Sequence, residues 1–326
     1  MAARDAVLHL AERYEPQRPI NDLIVELNRL YHDYEARTYD SYHPEINAQL
    51  QPIWQQMVQI ASGLQPDKTF RVLDFGCGTG FEASQLLAHL QQGTITQLVC
   101  YDPSPQMLGR CRLRIGSLAP HASFTTELAD IERPENSFNL VITNSLLHHL
   151  PNPLQTIMGL VPWLAPGAIW LSGHEPSKRF YRNSGCDRTY KVYLAEKRWR
   201  KYLSPGRYYR RLKTVPFGGS PARRTAIAAV NAGLFKKRPP ASLIVRLVDF
   251  HVPSSAEETE SGRGFDFESM QQTLAGSWAL RWIQTYSFMG PEYEGRLPRR
   301  WSRSCQNLAV RFPLDGANFC SVWQRL

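Results

Sequence analysis

The chain has 326 residues, 43% of them hydrophobic and 21% charged, an ordinary balance for a soluble globular protein with one large core or one core plus an insertion. Its six cysteines (77, 100, 111, 186, 305, 320) show no Cys-x-x-Cys pairing and no histidines at zinc spacing. They read as small apolar residues in a reducing cytoplasm, and no metal is expected. The net charge of +9 is unevenly placed: Lys178 to Pro240 holds 18 Lys and Arg against Asp187 and Glu196, leaving 20 basic and 27 acidic residues elsewhere.

The N-terminus has an early acid, Asp5, and no long apolar run, so it is not expected to be a secretory signal. Asn21 is placed to cap a helix with Ile20, Leu23, Ile24, Leu27, Leu30 and Tyr34 near one face. Pro44 is placed to open a second, with Ile53, Trp54, Met57 and Leu64 on its stripe and Gly63 near its end. Strands are expected near 70–75, 97–102, 123–127, 138–144 and 168–174, with helices or loops between them. Such alternation gives a parallel, doubly wound α/β sheet. Residues 136 to 174 contain no Lys, Arg, Asp or Glu, yet Asn139, Asn144, Pro151, Asn152, Pro153, Pro162 and Pro166 rule out a membrane span and point to a sheet centre.

The most specific signal is Val72-Leu-Asp-Phe-Gly-Cys-Gly-Thr-Gly80, a buried strand running into Gly76-x-Gly78-x-Gly80 and then into the apolar helix Glu82 to Leu90. Glycine lets the backbone turn sharply and approach a ligand without a Cβ in the way. A second strand, Leu98 to Asp102, ends in a carboxylate 22 residues beyond Gly80, placed to accept both ribose hydroxyls of a nucleoside. A nicotinamide dehydrogenase would use a similar loop and acid, but with Gly-x-Gly-x-x-Gly spacing rather than three alternating glycines.

From here the chain resembles the class I S-adenosylmethionine-dependent methyltransferases. Asp74-Phe-Gly-Cys-Gly-Thr-Gly80 is similar to their first motif, Tyr101 to Leu108 to their ribose-binding turn, and Ala129-Asp-Ile131 to their adenine-flanking turn. Ser137 to Leu150 resembles their fourth strand and the helix after it, and Leu164 to Gly173 the turn into the fifth. The resemblance implies a seven-stranded Rossmann-like sheet whose last two strands fit Leu280 to Phe288 and Ala317 to Trp323. It implies four stretches: a helical lid segment (1–66), the cofactor-binding core (67–177), a basic, aromatic-rich and mostly helical cap insertion (178–263), and the rest of the core (264–326). It further implies S-adenosyl-L-methionine as cofactor, held by Tyr39, Asp74, Gly76, Cys77, Gly78, Gly80, Asp102, Pro103, Met107, Asp130, Ile131 and Asn144. For Asp74 the competing role is to hold the turn by accepting backbone N–H bonds. The lack of a three-cysteine sequence motif argues against an iron–sulfur radical methylase.

Methyl transfer from a sulfonium needs an aligned nucleophile and exclusion of water, and a base where the acceptor must lose a proton. The candidates near strand ends are His148, His149, His174 and Glu175, with Tyr39 as a lid residue and Tyr34 and Arg37 beside it; alignment alone is the alternative. Nucleobase amine methyltransferases commonly carry Asn or Asp, two prolines and an aromatic after the fourth strand, whereas this chain has Asn144-Ser-Leu-Leu147. The expected substrate is a small metabolite accepting at O or N, anionic or carrier-bound, enclosed by the cap. The basic segment, interleaved with Tyr181, Tyr190, Trp199, Tyr208 and other aromatics, leaves an RNA or protein substrate as the alternative. The sequence carries no signal of oligomeric state.

Overall fold

The computed structural model describes residues 3–43, 48–65, 69–132, 135–203, 220–253, 255–260, 262–291, 295 and 297–326. Helices α1 (Ala3–Glu12), α2 (Ile20–Glu35), α3 (Tyr39–Tyr42) and α4 (Gln51–Leu64) precede the sheet. Helix α2 starts two residues earlier than expected, with Pro19 rather than Asn21 at its cap and no side-chain capping bond. Helix α4 carries the expected stripe, with Ile53, Trp54 and Met57 buried; Pro44, the residue expected to open it, lies outside the described residues.

The strands are β1 (Phe70–Phe75), β2 (Ile95–Tyr101), β3 (Ser123–Thr125), β4 (Phe138–Asn144), β5 (Leu164–Pro176), β6 (Trp278–Tyr286), the short β7 (Phe288–Pro291) and β8 (Asn318–Arg325). Seven of them form one sheet in the order β3-β2-β1-β4-β5-β8-β6. All neighbours are parallel except β8, which runs antiparallel to both β5 and β6. The chain winds outward from β1 to β3, then returns to place β4 on the other side of β1. The carboxyl ends of β1 and β4 therefore flank the point where strand order reverses, where open α/β sheets bind ligands.

Period-two alternation sorts the strand residues onto two covered faces. Val72, Leu140, Ile142, Ile169 and Leu171 pack with Trp54 and Met57 of α4 and with α5 (Phe81–His89) and α6 (Pro105–Ile115). Leu73, Val141 and Trp170 face the other way, against Ile157 of α7 (Pro153–Leu160) and beside Trp278 and Trp323, whose rings lie 5.7 Å from that of Trp170.

The described parts of 178–263 join two different apolar clusters. Helices α8 (Lys178–Arg182) and α9 (Ser184–Leu203) join a cluster in which Phe180, Tyr181 and Tyr193 bury against Phe288, Met289 and Trp301. Helices α10 (Pro221–Asn231) and α11 (Ala241–Val248) instead pack Ala226, Ala229, Leu243 and Leu247 onto Leu23 and Leu27 of α2 and Val7 of α1. Each half follows the apolar partner that matches it, aromatics to aromatics and small aliphatic stripes to the N-terminal helices. Three helices come after these: α12 (Ala256–Glu260), α13 (Phe267–Leu274), and α14 (Arg299–Arg311), which carries Trp301. Among the described residues no helix is long and apolar enough to cross a membrane.

Candidate functional site

The loop after β1 turns through three left-handed glycines, Gly76 (φ +82), Gly78 (φ +49) and Gly80 (φ +81). At Gly76 a Cβ would lie 2.8 Å from Leu146 Cδ1, so a side chain would collide with the loop after β4. Gly78 opens onto free space. The N–H groups of Gly76 and Cys77 both donate to Tyr101 O, at 2.8 and 2.9 Å, which ties the loop to the end of β2. Asp102 then locks it: one carboxylate oxygen accepts from Gly78 N at 2.9 Å and the other from Ser104 N at 2.8 Å. Burial pushes the Asp102 carboxyl up to about 6, offset by those N–H bonds and by nearby His32.

A cavity of about 100 Å³ lies over this loop. Its floor is Gly76, Gly78, Asp102, Pro103 and Met107, and its end wall is Asn144, Ser145 and Leu146. Tyr39 and four residues of α2, Val25, Asn28, Arg29 and His32, close it from above. The lid is fastened by polar bonds: Asp33 accepts from Ser104 Oγ at 2.6 Å, and Asp40 accepts from Thr79 Oγ1 at 2.8 Å and from Arg114 at 2.6 Å. Asn144 is held at both ends, donating to Glu82 at 2.5 Å and accepting from Trp54 Nε1 at 3.3 Å. Glu82, also in the lining, has its carboxyl pushed up to about 8 by burial.

The histidine pair is split by its surroundings. No helix of the expected kind directly succeeds β4; Leu147–His149 is a single 3₁₀ turn, built around Glu175. A register shift between Ser172 and Glu175, with His174 at φ +55, rotates the fully buried Glu175 inward. Its carboxylate accepts from the N–H groups of Leu146 (3.0 Å), Leu147 (2.9 Å) and His148 (3.2 Å), and pairs with His148 Nδ1 at 2.9 Å. Burial pulls the His148 imidazole down, but Glu175 beside it wins and raises it overall. His149 lines the cavity; burial, then His148 and His32, hold it well below the usual histidine range. The Nδ1–H of neutral His149 donates to Val248 O at 2.9 Å, which leaves Nε2 as its basic nitrogen.

Of the residues expected to hold the cofactor, Tyr39, Gly76, Gly78, Asp102, Pro103, Met107 and Asn144 line this cavity. Asp74, Cys77 and Gly80 lie beneath or behind the loop. Asp74 is buried with Oδ2 unpartnered, its pKa raised by burial and by Glu82, while Ala83 N–H donates to its carboxyl. Asp130 is exposed in a 3₁₀ turn after β3, where it accepts from Thr125 Oγ1, and Ile131 is buried beside it; neither reaches the cavity lining. Among the expected catalytic residues only His149 and Tyr39 face the cavity. Glu175 and His148 are spent on holding the turn, and His174 is turned to Tyr286 Oη at 2.5 Å. Tyr34 and Arg37 line a separate groove with Arg224.

Asn28, His32, Thr79 and Glu82 were not expected there. Asn28 and His32 stand one turn apart on α2, a polar strip beside its apolar stripe, and that strip was the available signal. Asn28 Oδ1 is buried in the lining without a hydrogen-bond partner among the described residues. An acidic acceptor at the ribose position, open space over Gly78, the apolar Met107 and an unpartnered amide oxygen together suit a nucleoside with a polar tail. The residues fit S-adenosylmethionine.

Residues 73–170 match the family model described as a methyltransferase domain. The chain is 30% identical over 131 residues to a trans-aconitate 2-methyltransferase of Deinococcus radiodurans, covering 40% of this chain and 46% of that protein. It is 28% identical over 121 residues to a malonyl-[acyl-carrier protein] O-methyltransferase of Halalkalibacterium halodurans, covering 35% and 42%. The chain thus spans less than half the length of these curated relatives. The plantazolicin methyltransferase BpumL aligns over 94% of this chain and 98% of its own at 12% identity, with a TM-score of 0.44. Residues 73–170 thus match a methyltransferase domain, and the glycine loop, the acid after β2 and the 3-2-1-4-5-8-6 sheet are similar to those of the class I, S-adenosylmethionine-dependent kind.

Proposed function

We propose that the chain transfers a methyl group from S-adenosylmethionine to an oxygen atom of a small metabolite, free or carrier-bound, with His149 as the proton acceptor. When bound, the cofactor supplies an electrophilic methyl group on a sulfonium. Asp102 would take the ribose hydroxyls, Gly76 and Gly78 would give backbone approach to the amino-acid tail, and Met107 would offer the base an apolar face. Tyr39 and α2 would exclude water from above.

The observation that carries this reading is the split histidine pair. Two titratable neighbours driven in opposite directions are a recurring mark of acid–base chemistry. His148, paired with Glu175, positions the turn, and the neutral ring of His149 stands in the cavity wall with Nε2 free of the Val248 bond. A macromolecular substrate is less well supported, because the basic segment spends several charges internally. Lys191 pairs with Asp187, Arg200 with Glu196, Lys237 with Glu15, and Arg179 with Asp315 and Glu268. The similarity to an O-methyltransferase of a carrier-bound acid points the same way.

The test is transfer of labelled methyl to a panel of small hydroxy and carboxylic metabolites, then His149→Ala and His174→Ala on the best acceptor. His149→Ala should lower turnover by about 10²–10⁴-fold with S-adenosylhomocysteine affinity little changed. Because His149 stays neutral well below its usual range, the acid limb of the pH profile should lie below pH 6.5. Full turnover in His149→Ala, or loss confined to His174→Ala, would remove His149 from this role.

A further inference from the structure

Three cysteines that the sequence scatters meet beneath the glycine loop. Cys77 comes from the loop itself, Cys100 from the end of β2 and Cys111 from α6. All three are fully buried, and their Sγ atoms lie within 4.8 Å of one another. Spacings of 23 and 11 residues hide this from any motif search. We propose that Cys77, Cys100 and Cys111 form a three-thiolate site for one soft, thiophilic metal ion.

The geometry is close to what such an ion needs. With metal–sulfur bonds of about 2.3 Å, a trigonal ion holds its three sulfurs about 4.0 Å apart. Thiolates without imidazole or carboxylate in the triangle select soft ions over hard ones. The thiols hydrogen-bond to one another, and Arg114 and Arg112 lie near Cys111. On binding, the thiol protons pass to solvent and no electrons are exchanged.

Two further observations separate this from ordinary cysteine packing. Asp74, which interacts with Cys77, Cys100 and Cys111, keeps a buried carboxyl oxygen without a hydrogen-bond partner among the described residues, an acceptor that a cation bound beside it would satisfy. Gly80 packs so closely that a Cβ there would lie 2.8 Å from Cys111 Sγ, so only glycine backbone covers Cys111 at this end of the loop. Ions would enter through this glycine turn, and a bound ion would join loop, strand and helix. The site stands whether or not the chain transfers methyl groups.

The test is titration of the reduced full-length chain with Cd²⁺, read by the sulfur-to-metal charge-transfer band and by the melting temperature. One equivalent should saturate the band and raise the melting temperature. Cys100→Ser should lose both effects and Cys186→Ser, in a different cluster, should keep them. Should Cys100→Ser fold poorly, native-state alkylation of the wild type, mapped by mass spectrometry, gives the same decision. Cd²⁺ should slow labelling of Cys77, Cys100 and Cys111 together by at least about tenfold, the effect of an ion at ten times its dissociation constant. No band at one equivalent, or slowing confined to Cys186, Cys305 or Cys320, overturns the proposal.

Discussion

The floor and the roof of the cavity are built by different means. The floor, from Gly76 to Gly80 and Asp102 to Met107, is made by residues close in sequence, each bonded to its neighbours' backbone. The roof and its hinge come from three distant places. Helix α2 supplies His32 and Asn28, residues 146–150 supply the histidine turn, and residues 248–251 hold that turn through Val248 O, His251 N and His251 Nε2. A local floor needs only its motif, whereas a roof of this kind needs the whole chain to be folded. Ligand chemistry that many proteins share can sit on the floor, and selectivity for one acceptor belongs to the roof.

Four measurements put that contrast at risk. Glu175→Ala strikes the hinge hardest. It leaves three buried N–H groups and His148 without their anion, and should cost about 3–5 kcal/mol in denaturant unfolding, the usual loss when one member of a buried pair is removed. A cost below about 1 kcal/mol would mean that the turn holds itself. Next comes pH. Glu82, pushed up to about 8 from an ordinary 4.5, holds its proton in the folded state where the unfolded chain has released it. Stability of the ligand-free chain should therefore be full below pH 4.5 as far as this group is concerned, and fall as pH rises to about 8. Glu82→Gln should flatten that fall in pH-dependent melts. On the floor, Asp102→Ala should weaken S-adenosylhomocysteine binding by about 1–3 kcal/mol in calorimetry, the value of hydrogen bonds to a charged acceptor. Unchanged affinity would contradict its ribose role. The smallest effect is at the clasp: Asp40→Ala should cost less than about 1 kcal/mol, because Asp40 and Arg114 are partly exposed and screened.

Legibility in the sequence divides along the same line. The strands at β1 and β4, the three glycines and Asp102 were legible because their roles depend on period-two burial and on local turn geometry. Helix α2 was legible as an apolar stripe within the expected lid segment, but its lining residues were not, since nothing in Asn28 or His32 says which cavity they will face. His174-Glu175 looked like a pair at the mouth of the site. A bulge in β5 sends the two residues in opposite directions, and a one-residue slip in pleat is invisible in composition. The described helices of 178–263 join two clusters, α8 and α9 one and α10 and α11 the other, a choice made by complementary shape across more than a hundred residues. The cysteine triangle was hidden for the same reason.

The packing of α2 against α10 and α11 has a consequence for synthesis on the ribosome. The apolar face of α2 emerges early, but its partners arrive roughly 200 residues later, which at about 5–20 residues per second is a delay of about 10–40 s. During that interval the parallel strands can assemble and the glycine floor can form, while α2 stays loosely attached or sheltered by a chaperone. The nascent chain therefore has its cofactor loop before it has a closed chamber. Substitutions on the α10 or α11 stripe should show themselves first as losses of yield during expression, ahead of any change in the chemistry of the finished enzyme.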